Sequence, residues 1–252
     1  MRSQPLWIIG APRSGTTFLG AVLNRHPMVS LTNESRVFVL FKHILEQACA
    51  RPEFLDVDQR ERFTEFLKRE AAALIERYYR QELGIVTPIW GDKHPPYADP
   101  TVLSGRAGGR PLLPVSGSCL RLIREILPDS KFIHIHREPA EVAHSLERKR
   151  WVPSLADGMA VWRQYVREID EFFSELEPEH RLVVAYADLL EEPDETADSL
   201  AGFLGLADPR PIALFLRAQH RAPTPFSAPV RDLGAVYGVR APLRLVEERE
   251  AS

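Results

Sequence analysis

The chain has 252 residues, 44% hydrophobic and 27% charged, a globular composition long enough for one α/β domain with a buried core. A net charge of −3 argues against a general nucleic-acid partner, and no apolar run reaches the roughly 20 residues a membrane-spanning helix needs. The two cysteines, Cys49 and Cys119, sit in apolar helical patterns and read as buried free thiols, too few for a zinc knuckle.

Residues 6–9 are a short, wholly apolar run, the pattern of a central parallel strand. The run is too short for a signal peptide, so a cytoplasmic location is the expectation. Gly10-Ala-Pro-Arg-Ser-Gly-Thr-Thr17 follows, then a helix carrying Phe18, Leu19, Val22 and Leu23. Asn24-Arg25-His26-Pro27 stops that helix, and residues 29–31 predict a second strand. Val37–Ala50 reads as helical. Residues 58–83 predict one long amphipathic helix, with Asp58 and Glu61 as its capping box and Phe63, Leu67, Leu74 and Tyr78 as its apolar stripe.

Trp90-Gly-Asp-Lys-His-Pro-Pro96 reads as a loop, and residues 104–116 as a Gly- and Pro-rich excursion. Helix is expected over 120–127, from Pro139, over 155–176 and over Pro193–Leu204. Strand is expected over Lys131–His136 and Arg181–Ala185, and residues 221–252 read as a loop-rich tail. Strands alternating with helices predict an α/β, P-loop-like three-layer fold, a mainly parallel sheet flanked by helices, in a single domain over 1–252.

The segment Gly-x-x-x-x-Gly-Thr-Thr between a strand and a helix has the makings of an anion cradle. Glycines let several N–H groups turn inward, and the helix adds the positive end of its dipole. A nucleotide-hydrolysing loop would carry lysine at position 16, where Thr16 stands, whereas Arg13 offers a guanidinium from within the loop.

Pro12-Arg-Ser-Gly-Thr-Thr17 resembles the 5′-phosphosulfate loop of sulfotransferases, in the branch with Arg in the loop that includes bacterial enzymes and the tyrosylprotein sulfotransferases. His26-Pro27, Asn33-Glu-Ser-Arg36, Gly91-Asp-Lys-His-Pro95, Arg137 followed eight residues later by Ser145, and Ala185-Tyr-Ala-Asp-Leu189 resemble further segments of the family, so that the likeness covers most of residues 6–205. The resemblance implies transfer of a sulfuryl group from 3′-phosphoadenosine 5′-phosphosulfate (PAPS) to a hydroxyl on a small molecule, glycan or peptide. The product would be 3′-phosphoadenosine 5′-phosphate (PAP), with no metal required. It implies that Arg13, Ser14, Gly15, Thr16, Thr17, Arg137, Ser145 and Tyr186 bind the donor.

Arg137 ends a strand and Ser145 lies two turns into the next helix, so the pair could close on one phosphate from two sides. The plainer alternative is a surface arginine pairing with Glu138 or Glu141. Glu34 is the candidate general base, on the expectation that partial burial lifts its pKa, and His94 ranks second. Lys93, sharing the work with Arg13, is the candidate for neutralising charge on the transferring group. His134 and His136 alternate with isoleucines and share a strand face, as core histidines more readily than as metal ligands. Trp90, Tyr97 and Trp162 could line a pocket or simply be core. The alternatives are a P-loop kinase or hydrolase and a non-catalytic nucleotide-binding module.

Overall fold

The computed structural model describes residues 3–50, 56–99 and 117–220. The expected excursion over 104–116 and the tail over 221–252 lie outside them. Five strands form one sheet: β1 (Gln4–Ile9), β2 (Val29–Asn33), β3 (Ile89–Lys93), β4 (Lys131–His136) and β5 (Arg181–Ala185). Their order is β2-β3-β1-β4-β5, and every neighbouring pair is parallel. Parallel pairing needs crossovers, which the helices supply. These are α1 (Thr16–Leu23), α2 (Val37–Ala50), α3 (Val57–Arg77), α4 (Leu120–Ile126), α5 (Pro139–Arg148), α6 (Leu155–Ser174), α7 (Asp188–Glu191), α8 (Pro193–Leu204) and α9 (Arg210–His220).

Strand alternation sorts the core into two layers. Trp7 and Ile9 of β1 face a cluster with Phe38, Ile75, Tyr79, Ile123, Val142, Tyr165 and Phe172, from the α2 to α6 side. Leu6 and Ile8 face Leu19, Val22, Leu200, Ile212 and Leu216, from α1, α8 and α9. The result is the expected three-layer P-loop-like fold. Two buried indoles are satisfied: that of Trp7 donates to Ser130 Oγ at 2.9 Å, and that of Trp90 to Ser3 Oγ at 2.8 Å. Helices α5 and α6 approach closely because Gly158 lies against Ala143, where an added Cβ would come within 2.8 Å of the Ala143 Cα.

The segment expected as a loop, Trp90 to Lys93, is strand β3, between β1 and β2, and only Pro95–Ala98 is a short 3₁₀ turn. Trp90 and Tyr97 are core residues, each 0% exposed. Helix α3 begins earlier than expected, with the capping box at Asp56 and Gln59 rather than Asp58 and Glu61. It ends at Arg77 and passes into a single π-turn, Tyr78–Glu82. Ala71, Ile75 and Tyr79 are the buried residues, one position on from the expected Leu74 and Tyr78, and Phe63 and Leu74 are 41% and 51% exposed.

Cys119, at the start of α4, is a buried free thiol whose pKa burial pushes up to about 12. The Cys49 side chain lies outside the described residues. His134 and His136 do share a face, their rings 6.1 Å apart, and His134 packs on Phe173. Among the described residues no cluster of three metal-ligating side chains occurs, and no helix is long and apolar enough to cross a membrane.

Gly91 pairs with Leu6 on one side and Leu31 on the other, and a Cβ there would collide with the Leu6 carbonyl. Neither backbone can yield without opening the sheet. Gly91→Ala is therefore expected to destabilise the fold by at least about 3 kcal/mol, read as a lowered denaturation midpoint with unchanged m-value.

Candidate active site

Open parallel sheets bind ligands where successive crossovers run to opposite sides of one strand. Here that strand is β1: β2 and β3 lie to one side, β4 and β5 to the other. The loop over residues 10–15 leaves its C-terminal end, and Arg137 leaves that of β4. Gly15 caps α1 at φ 106°, and no side chain caps the helix. The first turn holds no acidic residue, so its free N–H groups face the loop without a competing carboxylate. Neither loop glycine has room for a side chain. A Cβ on Gly10 would meet Ser14 Oγ at 2.7 Å, and one on Gly15 would enter the Tyr186 ring. Ser14 is 1% exposed, and its hydroxyl has no hydrogen-bond partner, an orphan of the kind a bound anion satisfies. Thr16 is buried, and Thr17 is half-buried.

Arg13 occupies left-handed backbone at φ 74° and sends Nε to Ser145 Oγ at 3.0 Å. Arg137 donates weakly to the Arg13 carbonyl at 3.4 Å, and its guanidinium lies 4.3 Å from the Tyr186 ring centre. The Tyr186 amide in turn holds the His136 carbonyl at 2.8 Å, and the Trp162 indole holds that of Arg137 at 3.2 Å. Arg13, Ser14, Gly15, Arg137, Ser145 and Tyr186 thus meet at one place. The arrangement differs from the expected one in two respects. Ser145 contacts Arg13 and not Arg137, and Arg137 is paired with Glu141 at 2.6 Å. Burial, then Arg148 and Arg137, lower the Arg13 pKa. Among the described residues the carboxylate paired with these three guanidiniums is Glu141, which leaves spare positive charge that an anion would relieve.

On the other side of β1, Glu34 follows β2 and Lys93 ends β3. The Lys93 ammonium donates to Glu34 Oε1 at 2.8 Å, and the Glu34 amide donates to the Lys93 carbonyl at 3.0 Å. The Lys93 side chain is only 4% exposed, where a loop lysine would be largely free, and its stem runs beside Gly20 of α1. Burial acts to raise the Glu34 pKa, but Lys93, with smaller help from His94 and Arg36, outweighs it, and the net direction is down. This reverses the expectation of a lifted carboxyl. The depression arises from a partner 59 positions away in the chain. His94 is dry, 1% exposed, with both ring nitrogens unpartnered, and burial holds its pKa at about 3. It is neutral and a poor base.

One site residue escaped the sequence reading. Asp92 is 0% exposed and accepts from Thr32 Oγ1, the Ser35 amide, Ser35 Oγ and Tyr97 Oη, at 2.9, 2.9, 2.7 and 3.2 Å. The available signal was alternation: Trp90 and Asp92 share one face of β3, and Gly91 and Lys93 the other.

The ion pair sets a testable sign. Lys93→Met removes the cation, so the Glu34 carboxyl is expected to rise from its depressed position toward the ordinary carboxylate range, followed by carbon-13 NMR of labelled glutamate. In the wild type the pair stabilises the fold above the ordinary Glu pKa, and that contribution is lost as pH falls through the depressed value. In the variant that pH-dependent contribution shrinks.

A model described as the Sulfotransferase family matches residues 5–210. A Caenorhabditis briggsae protein, named provisionally as a protein-tyrosine sulfotransferase, is 25% identical over 210 residues, 81% of this chain and 66% of that protein's length. Two solved structures share the fold. The sulfotransferase domain of the Synechococcus PCC 7002 olefin synthase superposes with a TM-score of 0.60 at 19% identity, covering 94% of each chain. That of the curacin biosynthetic pathway superposes at 0.59 and 21%, covering 84% of this chain and 77% of its own. The family match spans β1 to the start of α9 and takes in both sides of the cleft, so the chain belongs to the sulfotransferase family.

Proposed function

We propose that this protein transfers a sulfuryl group from PAPS to a hydroxyl acceptor. The observation that carries the reading is the convergence of an orphan hydroxyl and spare guanidinium charge at the end of β1, beside a buried lysine paired with a carboxylate that is 40% exposed. When bound, the donor supplies an activated sulfuryl group and a phosphate that leaves with the bond electrons. The loop N–H groups, Arg13, Ser14, Thr16 and Thr17 hold the 5′ end of the donor. Arg137, turned from Glu141, and Ser145 hold the 3′-phosphate, and Tyr186 packs over the loop to exclude water.

Glu34 takes the acceptor proton. In the resting arrangement Lys93 keeps it ionised but weakly basic. When the ammonium turns toward the donor oxygens it neutralises charge there, and the burial left at Glu34 strengthens the base. One movement thus serves both ends of the transfer. Thr16 in place of the loop lysine counts against a nucleotide kinase or hydrolase. A tyrosine phenol, a sugar or another alcohol fits this chemistry equally, and a panel of such acceptors with labelled PAPS would identify the class.

Two outcomes test the reading. Glu34→Gln is expected to lower turnover by about 10²- to 10⁴-fold while PAP still binds. Undiminished turnover would remove Glu34 as base, and absence of turnover in the wild type across the panel would favour a binding module. PAP at about 100 times its Kd is expected to raise the melting temperature by roughly 5 °C, well above an equal concentration of AMP. Arg137→Ala is expected to abolish that difference. If the difference survives the substitution, another residue reads the 3′-phosphate.

A further inference from the structure

Asp92 is a buried carboxylate without a cation of its own. The ammonium next to it in sequence, Lys93, points to the opposite face of β3 and is bound to Glu34. All four donors on Asp92 are neutral: the Thr32 hydroxyl, the Ser35 amide, the Ser35 hydroxyl and the Tyr97 hydroxyl. Thr32 also donates to the Gly91 carbonyl, and Ser35 Oγ lies 3.0 Å from the Tyr79 hydroxyl. Burying a charge on neutral donors is expensive, and an apolar residue at this core position would avoid the expense.

The placement of the donors shows what the carboxylate does. Thr32 and Ser35 bracket Glu34, and both are tied to one carboxylate. Glu34 and Arg36 have left-handed backbone, φ 60° and 61°, on either side of Ser35. Two such residues in so short a stretch are disfavoured unless the surroundings hold them. Ser35 is held twice by Asp92, through its amide and its hydroxyl.

We infer that Asp92 is a positioning residue: it clamps the turn over residues 33–36 so that the Glu34 carboxylate stands against Lys93. Its importance to turnover rests on the reading of Glu34 as base, whereas the clamp itself does not. Asp92→Asn breaks the clamp at one point. An amide oxygen still accepts from Thr32, but the amide NH₂ meets the Ser35 N–H, donor against donor. Ser35→Ala removes the hydroxyl alone and keeps the amide contact.

The experiment is the titration of the Glu34 carboxyl by carbon-13 NMR in the full-length chain, with PAP affinity measured by calorimetry. Releasing the turn takes Glu34 off Lys93, so its pKa is expected to rise in Asp92→Asn and, by less, in Ser35→Ala. Removing the Asp92 charge alone would move it the other way, so the sign separates repositioning from a direct field effect. PAP affinity is expected to stay within about twofold of wild type, because the phosphate side shares no residue with the clamp. An unmoved or lowered Glu34 value in both variants overturns the inference. So does a rise accompanied by lost PAP binding, which would mark general loosening of the fold. Should Asp92→Asn not fold, Ser35→Ala decides by the same two readings. If the titrations come out as expected and Glu34→Gln still turns over, the clamp stands and the base must be sought elsewhere.

Discussion

Strand β1 is hydrogen-bonded along both edges and buried on both faces, with Leu6, Trp7, Ile8 and Ile9 each 0% exposed. These four residues carry no charged group. Chemistry is therefore confined to its C-terminal end, where the backbone leaves the sheet and its N–H groups come free. The flanking strands divide at that point, which leaves a cleft between the ends of β3 and β4. The loop over residues 10–15 fills it because its two glycines admit backbone where a side chain would strike Ser14 or Tyr186. The position of the site thus follows from the burial of four apolar residues.

The two sides of the cleft differ in charge balance. On the β4 side Arg13, Arg137 and Arg148 stand close with Glu141 as a counter-charge on Arg137, and the surplus is positive. On the β3 side the buried Lys93 ammonium and the partly exposed Glu34 carboxylate neutralise one another. A polyanionic donor gains most on the side with surplus. A neutral hydroxyl, which brings no charge, gains from a side where a carboxylate is already ionised and oriented. The division matches a reaction in which one partner is held by charge and the other gives up a proton.

The apolar strands, the glycine loop and the helices after Pro139 and Pro193 were legible in the sequence because each is signalled locally. Strand β3 was not. Gly91, Asp92 and Lys93 are poor strand formers, and they form one only because β1 and β2 supply pairing on both sides. The long third helix was legible as a helix, but its buried face was not, since it buries Ala71 and Ile75 and leaves the larger Phe63 and Leu74 half-exposed. Glu34 and Lys93 were each visible as candidates. Their contact joins residues 59 apart, and the direction of the Glu34 pKa depends on that contact. Asp92 was hidden for the same reason: its partners Thr32 and Ser35 adjoin it through the β2–β3 pairing and not through the chain.

Of the four non-glycine residues with left-handed backbone among the described residues, Arg13, Glu34 and Arg36 belong to the site, and Arg150 follows α5. Arg13 and Glu34, one on each side of the cleft, both have left-handed backbone, which costs a non-glycine residue about 1–2 kcal/mol. Glycine would remove that cost at either place, but it would remove the guanidinium or the carboxylate as well. Each strained residue immediately precedes one fixed by other contacts. Ser14 is buried and its amide donates to the Ala11 carbonyl, and Ser35 is held by Asp92. A charged side chain at the mouth of the cleft must leave the sheet at a sharp angle, and the left-handed turn gives that angle in a single residue. At Arg13 and Glu34 the strain sits where the chain leaves the sheet, and the neighbouring hydrogen bonds keep it from relaxing.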